Sequence, residues 1–127
     1  MKIATVALLV PDYDEGIAFY VDKLGFDLLE DTQIGPGKRW IRVAPKGAET
    51  ALVLTKTTKP EQQAALGRQT GGGVGFFLQT DDFAQTHADF LKAGVAFREK
   101  PRKEPYGTVA VFSDPWGTCW DLIEPTS

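Results

Sequence analysis

An arginine set in an apolar run is the residue best placed to do chemistry: Arg42, within Trp40-Ile41-Arg42-Val43. A guanidinium turned inward there loses hydration unless it is paired, and its planar fork suits a carboxylate or a phosphate. At a strand end it could instead snorkel to solvent, or pair structurally with Asp121 in Cys119-Trp120-Asp121-Leu122. Asp121 could equally be a general base or the partner of a ligand cation. Arg42 and Asp121 are therefore the candidate catalytic residues.

The other reactive types carry less. Cys119 has no histidine near it in sequence, which fits an inert thiol. The only histidine, His87, falls in an apolar stripe with Phe83, Phe90 and Leu91 and reads as a core residue of a helix. Trp40 and Phe112 could stack on a planar ligand or fill the core. Tyr106, between Pro105 and Gly107, is a turn residue whose hydroxyl could close over a ligand. Gly71-Gly72-Gly73 has no strand before it and no lysine after it, so it reads as a hinge and not as a phosphate loop.

The elements that position these residues occur twice. Strand Thr5–Val10, turn Pro11-Asp12, a helix to Leu24 and Gly25, then strands over Phe26–Glu30, Arg39–Val43 and Ala51–Thr55 make the first set. Val74–Thr80, Asp81-Asp82, a helix to Ala93 and Gly94, then Val95–Phe97, Thr108–Phe112 and Cys119–Ile123 make the second. Asp12 and Asp82 stand 70 apart, Gly25 and Gly94 stand 69 apart, and Gly47 and Gly117 again 70, so one residue of slippage separates the copies. The pattern predicts an α+β fold of two βαβββ modules, about 1–58 and 74–127, joined by a linker over about 59–73. Two such sheets side by side would share a core and curve around a cavity.

Composition narrows the function classes. The 127 residues suit one domain, and 43% hydrophobic with 24% charged residues is ordinary for a folded soluble protein. No run approaches a membrane span, and Met1-Lys2-Ile3-Ala4-Thr5 leads straight into a strand, so the expectation is a cytoplasmic protein without a membrane partner. One cysteine leaves no intrachain disulfide to form. A net charge of -3 argues against nucleic acid, and the basic cluster Arg98, Lys100, Arg102 and Lys103 is interleaved with Glu99 and Glu104 as in a solvated loop.

Val6–Asp12, Ala18-Phe19-Tyr20, Leu24-Gly25-Phe26, Phe112–Gly117 with its Asp114-Pro115-Trp116-Gly117, and Trp120–Pro125 together resemble the vicinal oxygen chelate superfamily. That group holds glyoxalase I, bleomycin and fosfomycin resistance proteins and extradiol dioxygenases. The resemblance implies metal ligands at Thr5, at Gly75, at Asp121 and at Ala51 or Val53. Only Asp121 is a donor, whereas a transition metal needs three or more, so no metal and no cofactor is expected.

The resemblance also makes the ligand-position face of the sheet the concave one. Alternation then puts Thr5, Trp40, Arg42, Phe77, Gln79, Phe112 and Asp121 on that face, with Tyr106 at its rim, as the ligand-binding set. Two functions follow. One is a metal-independent binding protein of the bleomycin-resistance type, holding an amphipathic or anionic small molecule. The other is an enzyme, a glyoxalase-like lyase or isomerase or a dioxygenase-like protein. The outer surfaces of the helices and Trp116, in the turn Pro115-Trp116-Gly117, look too apolar to stay bare, and members of the superfamily commonly dimerise, so a homodimer is expected.

Overall fold

The structure is a computed structural model describing residues 1–127. The chain forms two compact units, Met1–Leu66 and Gly67–Ser127. In the first, β1 (Thr5–Val10) leads into α1 (Tyr13–Ile17), which continues as a π-helix over Ala18–Lys23. Strands β2 (Asp27–Gly35), β3 (Lys38–Ala44) and β4 (Ala51–Lys56) and helix α2 (Pro60–Ala65) complete it. The sheet order is β1-β4-β3-β2, with β1 and β4 parallel and the other pairs antiparallel.

Local chemistry explains the helix. Asp12 is extended (φ -156°) and its Oδ2 accepts from the amides of Asp14 and Glu15, both at 3.1 Å, which satisfies donors that the first turn would leave orphaned. Gly16 lies where a Cβ would sit 3.0 Å from a Val10 methyl and 3.1 Å from a Leu54 methyl, so its missing side chain is what brings α1 down onto β1 and β4. In the π-helix Leu24 donates to the Phe19 carbonyl at 3.0 Å, and the wider turn lets the consecutive residues Phe19 and Tyr20 both be buried. The expected α-helix to Leu24 is thus shorter, because two adjacent aromatics seek the same core. Leu8, Val10, Ile41, Val43 and Leu54 form the sheet's helix-facing side.

The second unit repeats the plan. It runs β5 (Val74–Gln79), α3 (Phe83–Lys92), β6 (Ala96–Phe97), β7 (Arg102–Glu104), β8 (Gly107–Ser113) and β9 (Cys119–Pro125). Its order is β5-β9-β8-β6, with β7 also on β8 and β5 parallel to β9. Asp82 caps α3 through Oδ1 to the Gln85 amide at 3.1 Å, and the Glu124 carboxylate takes the Phe83 amide at 2.7 Å. The core is aromatic: Phe112 lies 5.4 Å from Phe90 and 6.0 Å from Trp120, and Phe76 stacks on Trp120 at 4.8 Å. His87, half-buried, packs against its edge, 4.4 Å from Phe97.

Two expectations are corrected here. Arg102-Lys103-Glu104 is a strand and not a solvated loop, because β8 offers it an antiparallel edge and Arg102 bonds Glu99 and Glu104, both at 2.9 Å. Phe112 is fully buried on the side of its sheet that packs under α3. It therefore lines no ligand face.

Candidate functional site

Each unit has a sheet face turned away from its helix. In the first, the register sets Ala7 beside Val53, Val53 beside Arg42, Arg42 beside Glu30 and Trp40 beside Thr32. Alternation then places Thr5, Leu9 and Thr55 on the same face. Trp40 is 37% exposed, a large ring left open. Arg42 has its partner on its own sheet. Its Nε donates to Glu30 at 3.0 Å, and both side chains are about one third exposed, 32% and 39%. A cross-strand pair of that exposure contributes little to stability and leaves the rest of the guanidinium fork available.

A cleft of about 320 Å³ opens at one end of this unit, walled by Tyr13, Ile34, Trp40, Val53 and Thr55 and rimmed by lysines. Arg39 beside it bonds Asp14 at 2.8 Å and Asp31 at 2.7 Å and lies 5.5 Å from the Tyr13 ring centre. Hydrogen bonds from Arg39 hold the Asp31 carboxyl below its ordinary range.

In the second unit the helix-free face carries Phe77, Gln79, Cys119 and Asp121, with Val111 beside Asp121. Phe77 is 68% exposed and Gln79 is also open. Above them, Glu99 accepts from the Val111 amide at 2.9 Å and from Arg102. Hydrogen bonds to Glu99, to the exposed Tyr106 and to Glu104 raise the Arg102 guanidinium still further, while Arg102 holds the Glu99 carboxyl low. Tyr106 thus borders the Asp121 face through Arg102. Another cleft of about 500 Å³, from Gln79 through Thr108 to Glu124, is polar and holds no exposed ring.

Asp121 is the exception in this face. Its Oδ1 is buried with no hydrogen-bond partner, and burial pushes its carboxyl up, offset by Arg102 and reinforced by Glu99. The proton is therefore favoured in the fold. Stability from this group is complete below the ordinary carboxylate range, near 4, and falls as pH rises through the raised value. Asp121→Asn removes the charge that burial disfavours and is expected to raise stability at pH 7. The gain should fade as pH falls through the raised value and be gone below about 4, and comparing variant with parent by denaturant melts at pH 7 and 3.5 cancels the opposite trend of Glu99. An equal or lower midpoint at pH 7 would show that Asp121 has a partner.

Comparison with known families decides the lineage, since the sequence profile of the Glyoxalase/Bleomycin resistance protein/Dioxygenase superfamily matches residues 2–122. The chain belongs to that superfamily. An uncharacterized protein of Shewanella frigidimarina is 48% identical over 97% of this chain and 93% of its own. The crystal structure of UcmS2 matches with a TM-score of 0.85 at 32% identity, covering 98% of each chain. TnmS3, an antibiotic binding protein from Streptomyces sp. CB03234, matches with a TM-score of 0.80 at 37% identity, covering 99% of this chain and 97% of its own.

Several members of the superfamily hold a metal, and the register tests whether this one has the donors. Ala7 pairs with Val53 as Phe77 pairs with Asp121, so Val53, not Ala51, is the counterpart of Asp121. Thr5 lies opposite Ala51, and the space at Gly75 is filled by the Thr70 side chain. Nowhere do three His, Cys, Asp or Glu residues gather closely enough to share an ion. The donor set does not fit a metal of the superfamily type.

Sequence reasoning missed Glu30, Glu99 and the lysines of the first cleft. Their signal is spread over separate strands and turns, and only the register assembles them.

Proposed function

We propose that this chain is a metal-independent small-molecule-binding protein of the glyoxalase/bleomycin-resistance type, which sequesters an amphipathic or anionic ligand. The observation that carries this reading is the pair of aromatic rings left open on helix-free strand faces, Trp40 at 37% and Phe77 at 68% exposure. Folding alone would bury rings of that size, and an exposed ring on a rigid strand is a stacking surface. The antibiotic-binding description of TnmS3 supports it. No helix is long and apolar enough to cross a membrane, and the reading includes a cytoplasmic homodimer without a nucleic-acid partner. Asp121 favours a second reading, a lyase or isomerase that works without metal and uses a carboxyl kept protonated above its usual range; a dioxygenase lacks the donors it would need.

The test is fluorescence titration of the parent, Trp40→Ala and Phe77→Ala with a panel of polycyclic aromatic compounds. For a compound that binds the parent, the variant at the face it occupies is expected to lose about tenfold in affinity, on the scale of one aromatic stacking contact, with an unchanged melting temperature because neither ring is in the core. Full affinity in both variants would refute the assignment of these faces.

A further inference from the structure

The cleft of the first unit carries more information than its aromatic wall. Lys38, Lys56 and Lys59 line it together with Arg39, and no acidic side chain does. The ion pairs of the chain all use arginine, so these three ammonium groups have no carboxylate of their own. Arg39 is different, being matched by Asp14 and Asp31. Three uncompensated lysines around one cleft are unexpected in a chain of net charge -3. An anion entering the cleft would meet these cations and no carboxylate in the lining.

The aromatic groups lie in the same place. Lys56 Nζ is 6.0 Å from the Tyr13 ring centre, and Trp40 and Val53 form the apolar wall. Thr55 and Thr58 add hydroxyl groups beside the lysines. Charge and ring surface thus converge at a volume of about 320 Å³, the size of a small ligand site.

Building on the binding function proposed above, we infer that this cleft selects small aromatic anions: the ring lies against Trp40 and Tyr13, and a carboxylate or phosphate is held by Lys38, Lys56 and Lys59. A neutral ring of the same shape gains only the stacking, and a cationic one meets repulsion. Lysines on flexible stems act as point charges, so the selection is for charge more than for the geometry of the anionic group.

The experiment uses one ring in four charge forms: 1-naphthoate, 1-naphthyl phosphate, neutral 1-naphthalenemethanol and cationic 1-naphthylmethylammonium, each titrated into the full chain at low salt. Both anions are expected to bind about tenfold or more tighter than the neutral probe, and the cation weakest, with the preference shrinking to about twofold in 0.5 M salt as the charges are screened. The naphthoate and phosphate arms tell which anion is preferred. The double variant Lys56→Gln/Lys59→Gln should bring the anions to within about twofold of the neutral probe and leave the neutral affinity as it was, because the wall is untouched. Circular dichroism checks that it is folded, and Lys38→Gln alone gives a partial loss in the same direction.

The inference is overturned if the neutral probe binds the parent as tightly as the anions, a result that would leave the binding function standing. It is also overturned if the anion preference survives the double variant, since the charge would then lie elsewhere. Failure of all four probes to bind would count against both readings.

Discussion

Phe112→Ala is expected to destabilise the protein by about 3–5 kcal/mol, the range for removing a large aromatic from a packed core. Phe112 is fully buried, with Phe90 meeting it edge-on at 5.4 Å, Phe97 at 5.7 Å and Trp120 parallel to it at 6.0 Å. Truncation deletes three ring contacts at once, and a β-sheet under a helix closes poorly over the cavity. Against a typical total of about 5–15 kcal/mol the variant would be partly unfolded at physiological temperature. Denaturant melts should show a lower midpoint at unchanged slope. A loss below about 1 kcal/mol would mean that Phe112 faces an open cavity, as strand alternation alone suggests, and that α3 packs on something else.

The second large effect comes from backbone crowding. Gly67 has φ +75°, and a Cβ built on it would run into the carbonyl oxygen of Trp116 and close on Gly117. The obstacle is main chain, held by the Asp114 carboxylate, which accepts from the Trp116 amide at 3.0 Å and the Thr118 amide at 2.9 Å. Gly67→Ala should therefore cost about 3 kcal/mol or more, from left-handed strain plus steric displacement. Gly71 is the control. Its φ of +78° is nearly the same, but nothing lies within 4 Å of an added Cβ, so Gly71→Ala should cost only about 1 kcal/mol of strain. Equal losses at the two positions would show that the close approach of Gly67 to Trp116 is not what matters.

Much of the fold was legible because helix and strand periods are so distinct. β1 is predicted over its full extent, and the repeat offset foretells that first and last strands of each unit occupy matching places. Trp40, Arg42 and Val53 fall on the expected face, since β3 and β4 have clear neighbours to fix parity. β8 fails for a physical reason: Val109-Ala110-Val111-Phe112 is apolar on both sides, so alternation has nothing to read. Projecting Trp40 and Arg42 by 70 selects Ala110 and Phe112, but the register makes Val111 the neighbour of Asp121 as Arg42 is of Val53. A slip of one residue exchanges the two faces of a strand. β7 was invisible because three charged residues carry no pattern, and the Arg42–Glu30 pair because a strand pairing across a hairpin with shifts in register cannot be counted from spacing. Which residues share the helix-free face depends on those details more than on composition.

The pairing of first strand with last has a further consequence, for the order in which the molecule is made. Within its own sheet β1 is hydrogen-bonded to β4 alone, and β5 to β9 alone. As the chain leaves the ribosome, the β2–β3 hairpin can zip from its own turn, while Thr5–Val10 must wait for Ala51–Lys56 to be synthesised. Until then β1 is an apolar ribbon with bare amides and carbonyls, the state in which strands of neighbouring nascent chains join. Pairing the first strand with the last closes the longest strand-to-strand loop of each unit, the pairing with the largest entropic cost. A messenger cut between the codons for Ala44 and Ala51 would yield a product that can form a hairpin and a helix but has nothing to dock its own first strand.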